Sequence, residues 1–135
     1  MKNPKLQAQR WLKQSEYDLK QAQKSLDDKS FSYACFFAEQ SAQKSMKAFL
    51  IFKGWRFVNI HSIAELLKEA GKIDETFVPL IDSGKRLDLH YLASRYPDAV
   101  PEPAIPFDLY VEDEAKDAIS IAEKIFELSK KTIEQ

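Results

Sequence analysis

The chain has 135 residues, 44% of them hydrophobic and 30% charged, with a formal net charge of −1. That length suits one domain, 1–135, large enough to close a core without a disulfide or a metal, and the composition excludes a disordered chain. Near-neutral charge excludes the broad basic field of a nonspecific nucleic-acid binder, although local recognition of a nucleotide or RNA stays open.

The Lys-rich N-terminus lacks the apolar run of a signal peptide, and no stretch is long and apolar enough to span a bilayer. A cytoplasmic protein with no membrane association is the expectation. A first helix is predicted from about Pro4 to Leu26, because Ala8, Trp11, Ser15, Leu19, Ala22 and Leu26 recur at helical spacing. Asp18 falls near the centre of that apolar face. The break comes at Asp27-Asp28-Lys29-Ser30, after which Ser30 or Ser32 can cap a second helix running to Lys53, with Gly54 as its stop.

The second helix carries a stripe of small side chains: Ala34, Ala38, Ser41, Ala42, Ser45 and Ala48. Phe37, Phe49 and Phe52 edge it, and Phe36, Met46, Leu50 and Ile51 make the far side apolar too. A helix apolar on two sides is buried on two sides. The second cover is either another helix of this chain or a partner subunit, which makes a homodimer an expectation. Cys35 is the single cysteine, so neither an internal disulfide nor a Cys-based zinc cluster is possible.

Trp55 to Ile60 reads as a connector, and Ser62-Ile63-Ala64-Glu65 as a capping box opening a third, short helix that Gly71 ends. A fourth helical stretch spans Phe77 to Tyr96, with a kink near Pro79 or Ser83-Gly84. Four of the six prolines then fall between Pro97 and Pro106, an ordered, extended loop. The last helix begins near Glu112-Asp113-Glu114, acids suited to the positive end of a helix dipole. It buries Val111, Ala115, Ala118, Ile119, Ala122, Ile125, Phe126, Ser129 and Ile133. The fold class is all-α: an antiparallel up-down bundle of four main helices plus a short one.

No Gly-rich phosphate loop, HExxH or nucleophile elbow is present. His61 and His90 lie far apart in sequence, and neither a metal nor a cofactor is expected. His61 precedes the capping Ser62 and reads as a residue packing at a helix entrance. Read as one helix, the fourth stretch points Asp88, Leu92 and Arg95 the same way as Ile81, and Arg86, His90 and Ala93 roughly opposite. Arg86 and His90 are one turn apart: a solvated face, or the pair needed to bind a phosphodiester and move a proton. Asp18, Asp88 and Arg95 all face inward on this reading, so Arg95 should be at least half buried and bonded to Asp18 or Asp88. Such a pair is a structural clamp or part of a site, with Tyr91 and Tyr96 closing over it.

With these residues placed, the chain resembles the HEPN domain family over nearly its whole length. The resemblance rests on Ala8-x-x-Trp11 with Asp18-Leu19-x-x-Ala22, on Ala38-Glu39-Gln40-Ser41-Ala42-Gln43-Lys44-Ser45-Met46-Lys47-Ala48, on His61-Ser62-Ile63 with Leu66-Leu67, and on Leu87-Asp88 through Ser94-Arg95-Tyr96-Pro97-Asp98. It implies an antiparallel helical bundle that commonly dimerises and often works beside a minimal nucleotidyltransferase. Many relatives are RNases, some of them toxins, whose pattern is Arg, then four to six residues, then His, joined across a dimer. This sequence departs from that pattern: Arg86 and His90 have three residues between them, and no histidine follows Arg95. The Arg95-Tyr96-Pro97 segment looks closer to partner-type subunits. The expectation is therefore a module binding a nucleotide, RNA or a nucleotidyltransferase partner through Arg95, Tyr96, Asp88, Lys44 and Lys47. The alternative is a metal-independent endoribonuclease with Arg86 and His90 as its catalytic residues.

Overall fold

A computed structural model describes residues 3–134 and contains helices and turns with no strand among them. The first helix, α1 (Pro4–Asp27), starts with proline at its first turn, where a missing N–H costs nothing, and with the Asn3 side chain accepting from Leu6 N at 3.2 Å. Lys29, at φ 61°, turns the chain into α2 (Phe31–Phe52). That helix stops at Gly54, whose φ of 108° suits glycine, and the Gly54 and Trp55 N–H groups return to Ile51 and Leu50 carbonyls at 3.0 Å.

These two helices approach closely because the contact is made of small residues. Ser15 Oγ donates to the Ser41 carbonyl and Ser41 Oγ to the Ser15 carbonyl, both at 2.9 Å, and Ser15 also meets Ser45. Side chains any larger would hold the backbones apart and leave these buried hydroxyls without partners. Trp11 lies by Lys47 and Asp18 by Lys44, so α1 and α2 run antiparallel. The last helix, α7 (Glu112–Glu134), runs with α2, its Ser129 beside Met46.

Between them lie α3 (Ile63–Gly71), a 3₁₀ turn (Glu75–Leu80), α4 (Ile81–Asp88), α5 (His90–Ala93), a second 3₁₀ turn (Pro97–Ala99) and α6 (Pro106–Leu109). This third leg passes Asp88 and Arg95 by Glu39 and Phe36, and its Arg86 pairs with Asp117. The expected single helix from Phe77 to Tyr96 is instead three short pieces. Pro79 lacks an N–H, and the chain around it takes the tighter 3₁₀ form before α4 begins. Gly84 lets α4 sit on α3: a Cβ there would lie 2.6 Å from Leu67 Cδ1 and 3.1 Å from Ile63 Cγ2.

The main core joins α2, α3, α4 and α7 around Phe49, Met46, Leu66, Leu67, Phe77 and Ile125. A second cluster joins α1 to α7 through Ala8, Leu12, Phe126 and Ile133. Helix α2 is thus covered on its two apolar sides within one chain. The apolar character of both sides does not require a partner subunit, because α1, α3 and α7 supply the cover.

Candidate functional site

One stripe of α2 stays polar. Glu39, Gln40, Gln43, Lys44 and Lys47 recur at three- and four-residue steps, and Phe36 continues the stripe toward the N-terminus. Such spacing sets them along one side of a helix over about 16 Å. On one flank stands α1 with Trp11 and Asp18, and on the other stand His61 and the end of α5.

Glu39 has no solvent exposure. Its Oε1 accepts from Gln40 Nε2 at 2.7 Å and its Oε2 from Gln43 Nε2 at 2.9 Å. No cation lies within ion-pairing distance of it among the described residues. Burial therefore pushes its carboxyl up to about 7; the two amides oppose the rise, Asp88 adds to it, and Arg95 draws it down. At its other end Gln43 meets His61, with Oε1 at 3.1 Å from Nδ1. Lys47 Nζ lies 3.3 Å from the same nitrogen and 5.8 Å from the centre of the Trp11 ring, and burial lowers the basicity of its amine.

His61 is exposed, yet its backbone is firmly placed. The next residue, Ser62, caps α3 by accepting from Glu65 N at 3.2 Å, as its sequence pattern predicts. Asp88 reaches across from α4 and accepts from Ser62 Oγ at 2.8 Å, Ile63 N at 2.6 Å and Ala64 N at 3.2 Å. A carboxylate at a helix N-terminus satisfies orphan N–H groups and meets the positive end of the dipole.

The expected Arg95 pairing is therefore corrected. Asp88 is occupied by α3, and Asp18 pairs with Lys44 at 2.5 Å, so neither carboxylate bonds Arg95. Arg95 instead donates from Nη2 to the Tyr91 carbonyl at 2.7 Å and stacks 4.1 Å from the centre of the Phe36 ring. Tyr91 and Tyr96 do close around it, at 5.2 and 4.9 Å. Aromatic faces stabilise the guanidinium without neutralising it, which leaves its charge available to an anion.

Arg86 and His90 are one turn apart in sequence but are held by different groups. Asp117 binds Arg86 with two hydrogen bonds of 3.2 Å. The His90 ring is not on an outward solvated face: Nδ1 lies 2.9 Å from the Tyr110 hydroxyl, and burial lowers its basicity. Nearby Cys35 is buried, with its thiol pushed up to about 12, and is therefore an inert packing residue.

Beyond Lys44 the polar stripe opens into a shallow groove of about 830 Å³ on α1, lined by Gln7, Arg10, Trp11, Lys13, Gln14, Tyr17 and Lys44. Cations and aromatic rings thus alternate along it. No group of three or more His, Cys, Asp or Glu residues is arranged to hold a metal among the described residues. No helix there is long and apolar enough to cross a membrane.

A family model, the HEPN domain, matches residues 8–132. The chain belongs to the HEPN domain family. TT1696 from Thermus thermophilus is a structural relative at 32% identity and a TM-score of 0.86, covering 92% of this chain and 96% of its own. ST0689, described as an archaeal HEPN homologue, is also 32% identical, with a TM-score of 0.77 and coverage of 98% and 99%. No functionally curated protein matches the chain. For this HEPN domain, the stripe Glu39-Gln40-x-x-Gln43-Lys44 within an otherwise small and apolar helix was the signal that a sequence reading could have followed to Glu39 and His61.

Burial of Glu39 has a measurable consequence. Its folded carboxyl holds a proton more tightly than the unfolded one, so stability falls as pH rises from 4.5 to about 7 and stays reduced above that. Glu39→Gln should therefore stabilise the fold by about 1–3 kcal/mol above pH 7, and the gain should vanish below pH 4.5. Urea unfolding of both proteins across that range measures it; a gain independent of pH would contradict the burial of a charged carboxyl.

Proposed function

We propose that this HEPN domain is a binding module for the phosphates of RNA or a nucleotide, held along the polar stripe of α2 and the adjoining α1 groove. One observation carries the reading. Arg10, Lys13, Lys47 and Arg95 flank this side without a carboxylate partner among the described residues, and Trp11, Tyr17 and Tyr96 stand beside them. Cations alternating with exposed rings are what single-stranded nucleic acid binds, through phosphate contacts and base stacking. In a chain of net charge −1, the attraction comes from this face and not from bulk charge. Lys44, already paired with Asp18, positions the groove, and Asp88 fixes the α3 entrance that carries His61.

The alternative, an endoribonuclease using Arg86 and His90, has less support, because Asp117 already engages the guanidinium and the Tyr110 hydroxyl the imidazole. A nucleotidyltransferase partner fits the same reading as a protein that delivers or modifies the bound nucleotide. Homodimerisation belongs to it as well, now through a different surface. Leu89, Leu92 and Phe107 are 71, 51 and 63% exposed, apolar side chains that a second copy would cover.

Fluorescence anisotropy with a short single-stranded RNA tests the binding. Arg10→Glu with Lys13→Glu should weaken it about tenfold or more and lower the salt dependence by about two counterions. His90→Ala should leave affinity unchanged and no cleavage should appear in either protein; RNA cut by wild type and spared by His90→Ala would overturn this reading. Sedimentation at micromolar concentration should give a dimer, shifted to monomer by Leu89→Asp with Leu92→Asp. A wild-type monomer would remove the dimer.

A further inference from the structure

The chain of polar groups from Glu39 to His61 has a direction. Glu39, when charged, can only accept, and it accepts from both Gln40 and Gln43. Gln43 must therefore turn its Nε2 to the carboxylate and its Oε1 to the imidazole. An amide oxygen only accepts, so the group facing it at 3.1 Å has to be Nδ1–H. A neutral imidazole with its proton on Nδ1 carries a lone pair on Nε2. No described residue bonds Nε2, and His61 is exposed.

Lys47 competes for the same Nδ1 from 3.3 Å, where an ammonium would ask the nitrogen to accept. One ring nitrogen cannot serve both. The amide is closer and anchored at its far end by a buried carboxylate, whereas Lys47 has the Trp11 face as a second resting place.

We propose that His61 is a specificity-determining contact of the α2 face: oriented by Gln43 and Glu39, it presents Nε2 as a hydrogen-bond acceptor to the 2′-hydroxyl of a ribonucleotide. This rests on the phosphate-binding reading above and adds what that reading lacks, a reason to choose ribose over deoxyribose. Phosphate oxygens only accept and are repelled by a lone pair; among the groups of a nucleotide's backbone, the ribose hydroxyl is the donor. Lys47 beside the imidazole, and the cations of the α1 groove beyond it, hold the phosphates.

Two measurements test it with the intact protein. Two-bond ¹H–¹⁵N spectra of ¹⁵N-histidine-labelled protein, recorded at a pH high enough to ionise Glu39, should show His61 protonated on Nδ1. In Gln43→Leu it should revert to the Nε2–H form that a free imidazole favours. A wild-type Nε2–H tautomer would overturn the proposal and leave the binding reading standing. Anisotropy with RNA and DNA of one sequence should then show RNA bound about five- to tenfold more tightly, the range expected for one hydroxyl hydrogen bond. His61→Ala, a change at an exposed side chain, should abolish that ratio. An unchanged ratio in His61→Ala overturns the proposal. Binding of neither polymer removes the phosphate-binding reading, and with it the ribose contact. Competition by AMP but not dAMP supports a single nucleotide as sufficient, and no competition by AMP beside a retained RNA preference supports the polymer as ligand.

Discussion

The carboxylate of Glu39 lies out of water with two amides as its bonding partners, and the arrangement of one whole side of the domain follows from satisfying it. A buried carboxylate without donors would cost several kcal/mol, so Gln40 and Gln43 are fixed by need. Gln43 in turn fixes His61, and the α3 entrance that carries His61 is fixed by Asp88. A hydrophobic residue of similar volume would pack at position 39 with less penalty. Stability alone thus gives no reason for the acid, whereas orienting a surface imidazole does.

The same helix serves as scaffold and carries the proposed site. Its small side chains bring α1 close enough for serine hydroxyls to reach backbone carbonyls across the contact, and its large apolar residues meet α3 and α7. What remains is a single polar stripe bordered by rigid elements. Groups placed on packed helices are held more narrowly than groups on loops, which suits recognition of phosphate and hydroxyl positions. The two potential catalytic groups on the third leg, by contrast, are tied into structural pairs with Asp117 and Tyr110.

Much of the fold was legible in the order of residues. The long helices show clear apolar periodicity, Ser62 caps α3 by accepting from Glu65 N while the Glu65 carboxylate turns to Lys68 rather than closing the box, and Gly54 ends α2. The third leg was less legible because Pro79 and a series of short turns break the period on which such a reading depends. The partners of Arg95 were misread for a different reason. A helical wheel gives the direction of a side chain but not what other elements offer there. Asp88 meets backbone N–H groups of α3, which no pairing of side-chain charges would reveal, and Asp18 finds Lys44 on α2. Glu39 and Gln43 were visible as polar residues one turn apart in a helix of small and apolar ones, yet only the packing shows that these two side chains are buried.

In the proposed binding mode, ligand lies along the polar stripe of α2 and not at the Arg86–His90 pair. Titrating ¹⁵N-labelled protein with a short single-stranded RNA and following every amide and side-chain resonance tests it most directly. Binding at the stripe predicts shifts concentrated at Trp11, Gln40, Gln43, Lys44, Lys47 and His61, with Arg86, His90 and Asp117 unmoved. Shifts centred on Arg86, His90 and Tyr110, with the α2 stripe silent, would contradict it.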